Sequence, residues 1–139
     1  MNYLLDTCVI SELLKKRPNH GVIQWFASHE EMSLYLSVVT LGEIQKGISK
    51  LADPLRQQPL QDWLQTRVVE RFNRRILPLD SRVMFVWGNT LGQDERQGII
   101  LPAVDMLIAA TAIVHDMQVI SRNVRDLQRC RAVVVDPWE

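Results

Sequence analysis

Lysine is absent from this chain after Lys50, and cysteine occurs only twice, at Cys8 and Cys130. Two cysteines so far apart offer neither a metal-ligand spacing nor a disulfide framework, which leaves reduced thiols, the default state in a cytoplasm. No run approaches the eighteen apolar residues of a membrane span, and no stretch has the charged and apolar regions of a signal peptide. The expectation is a soluble, cytoplasmic protein with no membrane partner. An excess of one charge is missing too: sixteen basic residues balance sixteen acidic ones. Bulk charge therefore gives no pointer to nucleic acid. Internal repeats, low-complexity segments, a P-loop and a GxGxxG pattern are all absent.

What is present fits one globular domain spanning residues 1–139, with 47% hydrophobic and 23% charged residues. Twelve of the sixteen basic residues are arginine, and eight of these lie in two clusters. One is Arg67, Arg71, Arg74 and Arg75; the other is Arg122, Arg125, Arg129 and Arg131. A solvated helix face accounts for them slightly better than phosphate binding does.

The chain is organised around Tyr3-Leu4-Leu5-Asp6-Thr7, a short apolar run that ends in a carboxylate. Such a run fits a buried strand of a parallel sheet, and ligands of open α/β sheets bind beyond the carboxyl ends of the strands. Asp6 then either stands at a site or merely caps the helix expected over Cys8–Leu14, for which Thr7 is also a plausible cap. A second helix is expected from Asn19 and a second strand over Leu34–Val39. Thr40-Leu41-Gly42-Glu43 has the spacing of a capping box, which gives Glu43 a purely structural explanation.

Asp53-Pro54 ends that helix near Leu51, Pro59 interrupts again, and Leu60–Phe72 reads as an amphipathic helix. Ile76–Leu79 reads as an edge strand because of Pro78. Asp80 caps a helix of about sixteen residues that ends near Gly98, with Gly88 and Gly92 beside Trp87 pointing to close helix packing, another subunit being one candidate neighbour. Leu101–Ala112 is apolar nearly all round and belongs in the core. Asp105 is its one charged residue, and a carboxylate there is costly unless paired or bound to a metal. Gln118–Ser121 and Ala132–Val135 are the remaining strands. Between them, Asn123 and Asp126 repeat the pattern of a capping residue followed three positions later by an acid.

Strands alternating with helices predict a three-layer α/β/α sandwich around a mostly parallel sheet. Asp6, Glu43, Asn123 and Asp126 then fall at its carboxyl edge, and Asp105 joins them if its helix starts from that edge. Several carboxylates in one cleft repel each other unless a cation lies between them. An all-oxygen donor set selects Mg²⁺ or Mn²⁺ over zinc, and the chemistry that follows is phosphodiester hydrolysis.

YLLDTCVIS, SVVTLGEIQKGI, LPAVDMLIAATA and SRNVRDL, in this order with the closing DPW, resemble the PIN-domain ribonucleases. The resemblance is closest to VapC-type toxins of the FitB-like branch and covers essentially the whole chain. It implies a PIN-like fold and a Mg²⁺- or Mn²⁺-dependent endoribonuclease, usually dimeric, that a small antitoxin holds inactive. DNA would be reached only through the antitoxin. By motif match, Asp6, Glu43 and Asp105 take the places of the family's acidic triad. Cys8 stands where Asn is common, and Asn123 stands at the variable fourth acidic position, with Asp126 one helical turn further on. Other families fit less well. A haloacid-dehalogenase-type phosphatase needs an Asp where Cys8 is, and a response-regulator receiver needs a late lysine. A catalytically silent PIN-like binding module is the alternative from another class, and loss of a triad acid would favour it; none is lost.

Overall fold

The computed structural model describes residues 1–139. Five strands form one sheet: β1 (Tyr3–Leu5), β2 (Leu34–Ser37), β3 (Ile76–Leu77), β4 (Gln118–Ile120) and β5 (Val134–Val135). Their spatial order is β3-β2-β1-β4-β5, and all four pairings are parallel. Neighbouring side chains on a strand face opposite ways, so each strand feeds two cores. Leu4 and Val119 pack with Val83, Met106, Ile108 and Leu127 on one face. Leu5 and Ile120 pack with Val9, Ile10, Ile44, Ile48 and Phe72 on the other. Both faces are covered by helices, as a parallel sheet requires, and the result is the three-layer sandwich expected.

The layer beside Leu5 holds α1 (Thr7–Glu12), α2 (His20–Ala27), α3 (Val38–Ser49), α4 (Pro54–Asp62) and α5 (Val69–Arg71). The opposite layer holds α6 (Ser81–Arg96), α7 (Ala103–Val114) and α8 (Val124–Arg129). The strand order reverses direction at β1, from which the chain first builds β2 and β3 and then crosses to β4 and β5. In such sheets the crevice at the carboxyl ends beside the reversal is where ligands bind.

Several local expectations shift. Asp6, not Thr7, caps α1, accepting the Thr7 N–H at 2.9 Å. The second strand stops at Ser37, whose hydroxyl caps α3 by accepting from Val39 N. That places Glu43 in the second turn of α3, so the Thr40–Glu43 capping box does not form. The edge strand is only Ile76–Leu77 and the last only Val134–Val135, each two residues shorter at one end than expected.

The helix expected to begin at Leu60 starts at Pro54, contains Pro59, and continues through a π-turn over Trp63–Val68 into α5. Pro59 costs a backbone hydrogen bond inside a helix; the turn before it, at Leu55, is 85% exposed, so water can serve the carbonyl left over. Ideal side chains at Gly88 and Gly92 would meet nothing within 4 Å, so no close packing occurs at these glycines within the chain.

The three helices of the second layer finish in one pattern. After α6, Ile99 N donates to Asp94 O and Gly98 N to Glu95 O; after α7, Met117 N donates to Ala112 O and Asp116 N to Ile113 O; after α8, Ala132 N donates to Leu127 O and Arg131 N to Gln128 O. These are Schellman ends, in which one residue takes the left-handed conformation. Gly98 does so at φ 76°, but Asp116 (φ 54°) and Arg131 (φ 69°) are not glycine, and Arg74 (φ 68°) ahead of β3 is a third such residue. Gly98→Ala places a Cβ in the left-handed region and should cost about 1–2 kcal/mol. Gly47→Ala, on an open face of α3, should instead gain about 1 kcal/mol. Thermal melts of the two variants should move in opposite directions from wild type.

Candidate active site

The register of β1 against β4 starts the site. Leu5 pairs with Ile120, so the next residues, Asp6 and Ser121, stand side by side where both strands end. Asp6 N donates to Ile120 O at 3.0 Å, which holds the backbone at that point. Asp6 is 8% exposed, yet both its carboxylate oxygens are satisfied. Oδ1 accepts from Thr7 N, and Oδ2 accepts from the Ser121 hydroxyl at 2.7 Å. Asp6 is therefore a helix cap and a site carboxylate at once.

Glu43 arrives from α3, whose start is set by the end of β2. It is exposed at the rim, and the Thr7 hydroxyl donates to its Oε1 at 2.6 Å. Asp105 arrives in the first turn of α7, which does begin at this edge: the Asn123 amide donates to Asp105 Oδ2 at 3.2 Å. Burial pushes the Asp105 carboxyl above its ordinary value, and the charges of Asp6, Asp126 and Glu43 push it the same way, while the Asn123 amide opposes them. Asp126, in the first turn of α8, lies half-buried nearby, with Arg129 Nη1 3.9 Å from its Oδ1.

Asp6, Glu43, Asp105, Asn123 and Asp126 thus come to one edge of the sheet. Asn123 precedes α8 without capping it by its side chain, because that amide is engaged by Asp105. As the side chains stand, no group of three or more acidic, cysteine or histidine residues is placed to hold a metal ion. The donors present are oxygens of like charge on an open rim, a set that fits a hard divalent cation. Cys8 does not add a charge, since burial raises its thiol pKa, with the Asp6 charge acting the same way. The largest concavity, about 870 Å³ and lined by Ile10, Leu13, Trp63 and Phe72, lies elsewhere and contains none of the five residues.

The two arginine clusters separate. Arg75 is buried, donates to the carbonyls of Glu31 and Leu34 at 2.7 and 2.6 Å, and with Arg71 pairs Glu31. These two brace the start of β2 and face no site. Arg131 pairs Asp94 at 2.5 Å. Arg122 and Arg125 are exposed and flank Asn123 in the chain, and the Arg122 guanidinium lies 5.6 Å from the centre of the Trp138 ring. The hydroxyls of Thr7 and Ser121 donate to Glu43 and Asp6, contacts that sequence patterns did not assign. Their signal was position alone, each being a small hydroxyl residue at the end of a strand that delivers an acid or an amide.

The profile of the PIN domain matches residues 3–132. The chain belongs to the PIN-domain family. It is 30% identical over 136 residues to the VapC ribonuclease Y4jK of Sinorhizobium fredii, covering 98% of this chain and 97% of that one. It is 33% identical over 135 residues to the toxin FitB of Neisseria gonorrhoeae, covering 97% of each. The solved structure of FitAB bound to an IR36 DNA fragment superposes with a TM-score of 0.88 at 32% identity, covering 99% of this chain and 96% of that one. No helix of this PIN protein is long and apolar enough to cross a membrane.

The raised Asp105 pKa makes a prediction for the metal-free protein. An acid whose folded pKa lies above its unfolded value binds the extra proton in the folded state, so stability falls as pH rises through that interval and the deficit persists at neutral pH. In EDTA, Asp105→Asn should therefore melt above wild type at pH 7. The gain should shrink as the pH approaches 3.8, the ordinary value of the group. Melting curves from pH 4 to 8 check both the sign and the trend.

Proposed function

We propose that this PIN domain is a Mg²⁺- or Mn²⁺-dependent endoribonuclease, the toxin of a toxin–antitoxin pair. The observation that carries the reading is the gathering of Asp6, Glu43, Asp105 and Asp126 at the reversal point of the sheet, close enough that the other three acids act on the Asp105 carboxyl. Similarity to a VapC ribonuclease and to the FitB toxin supports RNA as substrate and toxicity as the outcome.

In this reading Asp6, Glu43 and Asp105 hold the divalent cation. Asp126 lies within reach of the same charge cluster, and Asn123 contributes orientation without charge. A cation bound there supplies Lewis acidity, which lowers the pKa of a water and stabilises charge developing on a phosphoryl oxygen. The residues of the chain do the rest. Thr7 and Ser121 aim the carboxylates of Glu43 and Asp6, and the Asn123 amide keeps Asp105 turned towards the same edge. Arg122 and Arg125 draw in the phosphates of the substrate. The open rim suits a polymer, because no wall closes over Glu43.

The FitAB–DNA complex supports a second protein as partner, a small antitoxin through which DNA is reached. The face of α6 that carries Phe85, 77% exposed, beside the bare Gly88 and Gly92 supports a homodimer contact.

Partner-free protein should cut single-stranded or loop RNA with Mg²⁺ or Mn²⁺ and stop in EDTA; equal cleavage in EDTA overturns the proposal. Asp6→Asn, Glu43→Gln and Asp105→Asn should each lower cleavage by roughly 10²-fold or more. Glu43→Gln isolates the chemistry, because Glu43 caps no helix. Replacing Arg122 or Arg125 by Gln should weaken RNA binding and reduce the slope of log affinity against log salt by about one each. Binding titrations at several salt concentrations read that slope directly.

A further inference from the structure

The outermost pairing of the sheet also has a consequence just beyond its end. Ile120 pairs with Val135, and Ser121 N donates to Val135 O at 3.0 Å. Arg122 and the segment after β5 therefore leave the sheet side by side. That segment, residues 136–139, is fixed by several contacts. The Trp138 N–H donates to Asp136 Oδ1 at 2.9 Å. The Asn19 side chain bonds Glu139 in both directions: Nδ2 donates to Glu139 O at 2.8 Å, and Oδ1 accepts from Glu139 N at 3.1 Å. A Cβ at Gly21 would collide with the Pro137 carbonyl oxygen, so this glycine is what lets the segment lie on α2. Trp138 itself packs on the core that holds Leu5, Val9 and Val22.

Arg122 rests over this anchored ring, its guanidinium 5.6 Å from the centre. Arg71 and Arg75 also lie over aromatic rings, but both pair with Glu31 as well. Arg122 is exposed and pairs with no carboxylate. A guanidinium held by an aromatic face keeps its N–H donors free for an anion, whereas one held by a carboxylate does not. In the chain it stands between Ser121, which donates to Asp6, and Asn123, which donates to Asp105. We infer that Trp138 is the positioning residue of Arg122: its ring holds the guanidinium at the rim of the acid-bearing edge, so that a substrate phosphate meets a cation already in place. This rests on the reading of Arg122 as a phosphate ligand. An arginine that is free in solvent loses rotamer freedom when it binds, and one ordered beforehand does not.

The test is binding of the full chain to a short labelled single-stranded RNA, in EDTA to block cleavage, at several salt concentrations. Trp138→Leu keeps the charge of Arg122 but frees the side chain. It should raise the Kd by about two- to tenfold and leave the slope of log affinity against log salt unchanged, because the phosphate contact remains. Arg122→Gln should weaken binding and reduce that slope by about one. Once Arg122 is Gln, adding Trp138→Leu should cost nothing more. Trp138→Phe keeps an aromatic face and should stay within about twofold of wild type. With Mg²⁺ present, Trp138→Leu should raise KM and leave kcat in place. If circular dichroism shows that Trp138→Leu does not fold, Trp138→Met, unbranched and without a ring, takes its place with the same expectations. Wild-type affinity in Trp138→Leu, with Arg122→Gln weakened, overturns the inference alone. An equal loss from Trp138→Leu with and without Arg122, or an equal loss in Trp138→Phe, also overturns it, because packing rather than the ring beneath Arg122 then sets affinity. Wild-type protein that binds no RNA, or Arg122→Gln that binds as wild type does, overturns the reading of Arg122 as a phosphate ligand, and this inference with it.

Discussion

The pairing of Leu5 with Ile120 is the constraint on which the site depends. It is an ordinary parallel register, held by apolar side chains that point into two different cores. Its consequence falls one residue later, where the chain leaves the sheet with Asp6 on one strand and Ser121 on its neighbour. A slip of one residue would exchange the faces of β1, sending Leu4 and Leu5 to the wrong cores and Asp6 away from Ser121. Packing of the sheet and aim of the carboxylate are therefore specified together. The cost of gathering acids is met locally: Thr7 N and Ser121 satisfy Asp6, the Thr7 hydroxyl satisfies Glu43, and Asn123 satisfies Asp105.

Much of this was legible in the residues. The order of strands and helices followed from apolar runs ending in polar residues, and Asp105 stood out as the one charge on α7. That Asp6, Glu43, Asn123 and Asp126 meet at one edge followed from the parallel arrangement, whereas Asp105 depended on where α7 begins, which only the structure shows. What escaped had physical reasons. Thr40–Glu43 matched a helix start, but Ser37 came first and won, since a buried hydroxyl at the strand end offered the cap three residues earlier. The helix through Pro59 outran its sequence signals because its exposed first turn can give a carbonyl to water while Leu64, Val68 and Phe72 are still buried. Ser121 was invisible as more than the end of a strand, because its importance lies in three partners, none nearer in sequence than two residues. The catalytic role proposed for Asp6, Glu43 and Asp105, and the metal-binding role proposed for these with Asn123 and Asp126, rest on their placement and on family motifs.

Two substitutions of the family pattern make chemical sense side by side. Asn123 at the variable acidic position replaces a charge by a donor, and that donor engages the acid with the raised pKa. Cys8 replaces a carboxamide by a thiol whose pKa burial raises, and its Sγ lies 3.5 Å from the Ser121 hydroxyl and 3.9 Å from Asp6 Oδ2. The first change lowers the charge of the rim and the second leaves it unaltered, so the acids at this edge are Asp6, Glu43, Asp105 and Asp126.

Non-glycine residues in the left-handed region cost energy, and such strain commonly collects at functional sites. Here it lies at the other end of the molecule. Arg74, Asp116 and Arg131 each sit just before a strand begins, while the acids stand where strands finish, so the sheet itself separates the two edges. Robustness and chemistry in this domain can therefore drift independently. A substitution that relaxes a return turn leaves the acid-bearing edge in place, and one among the acids leaves the turns in place.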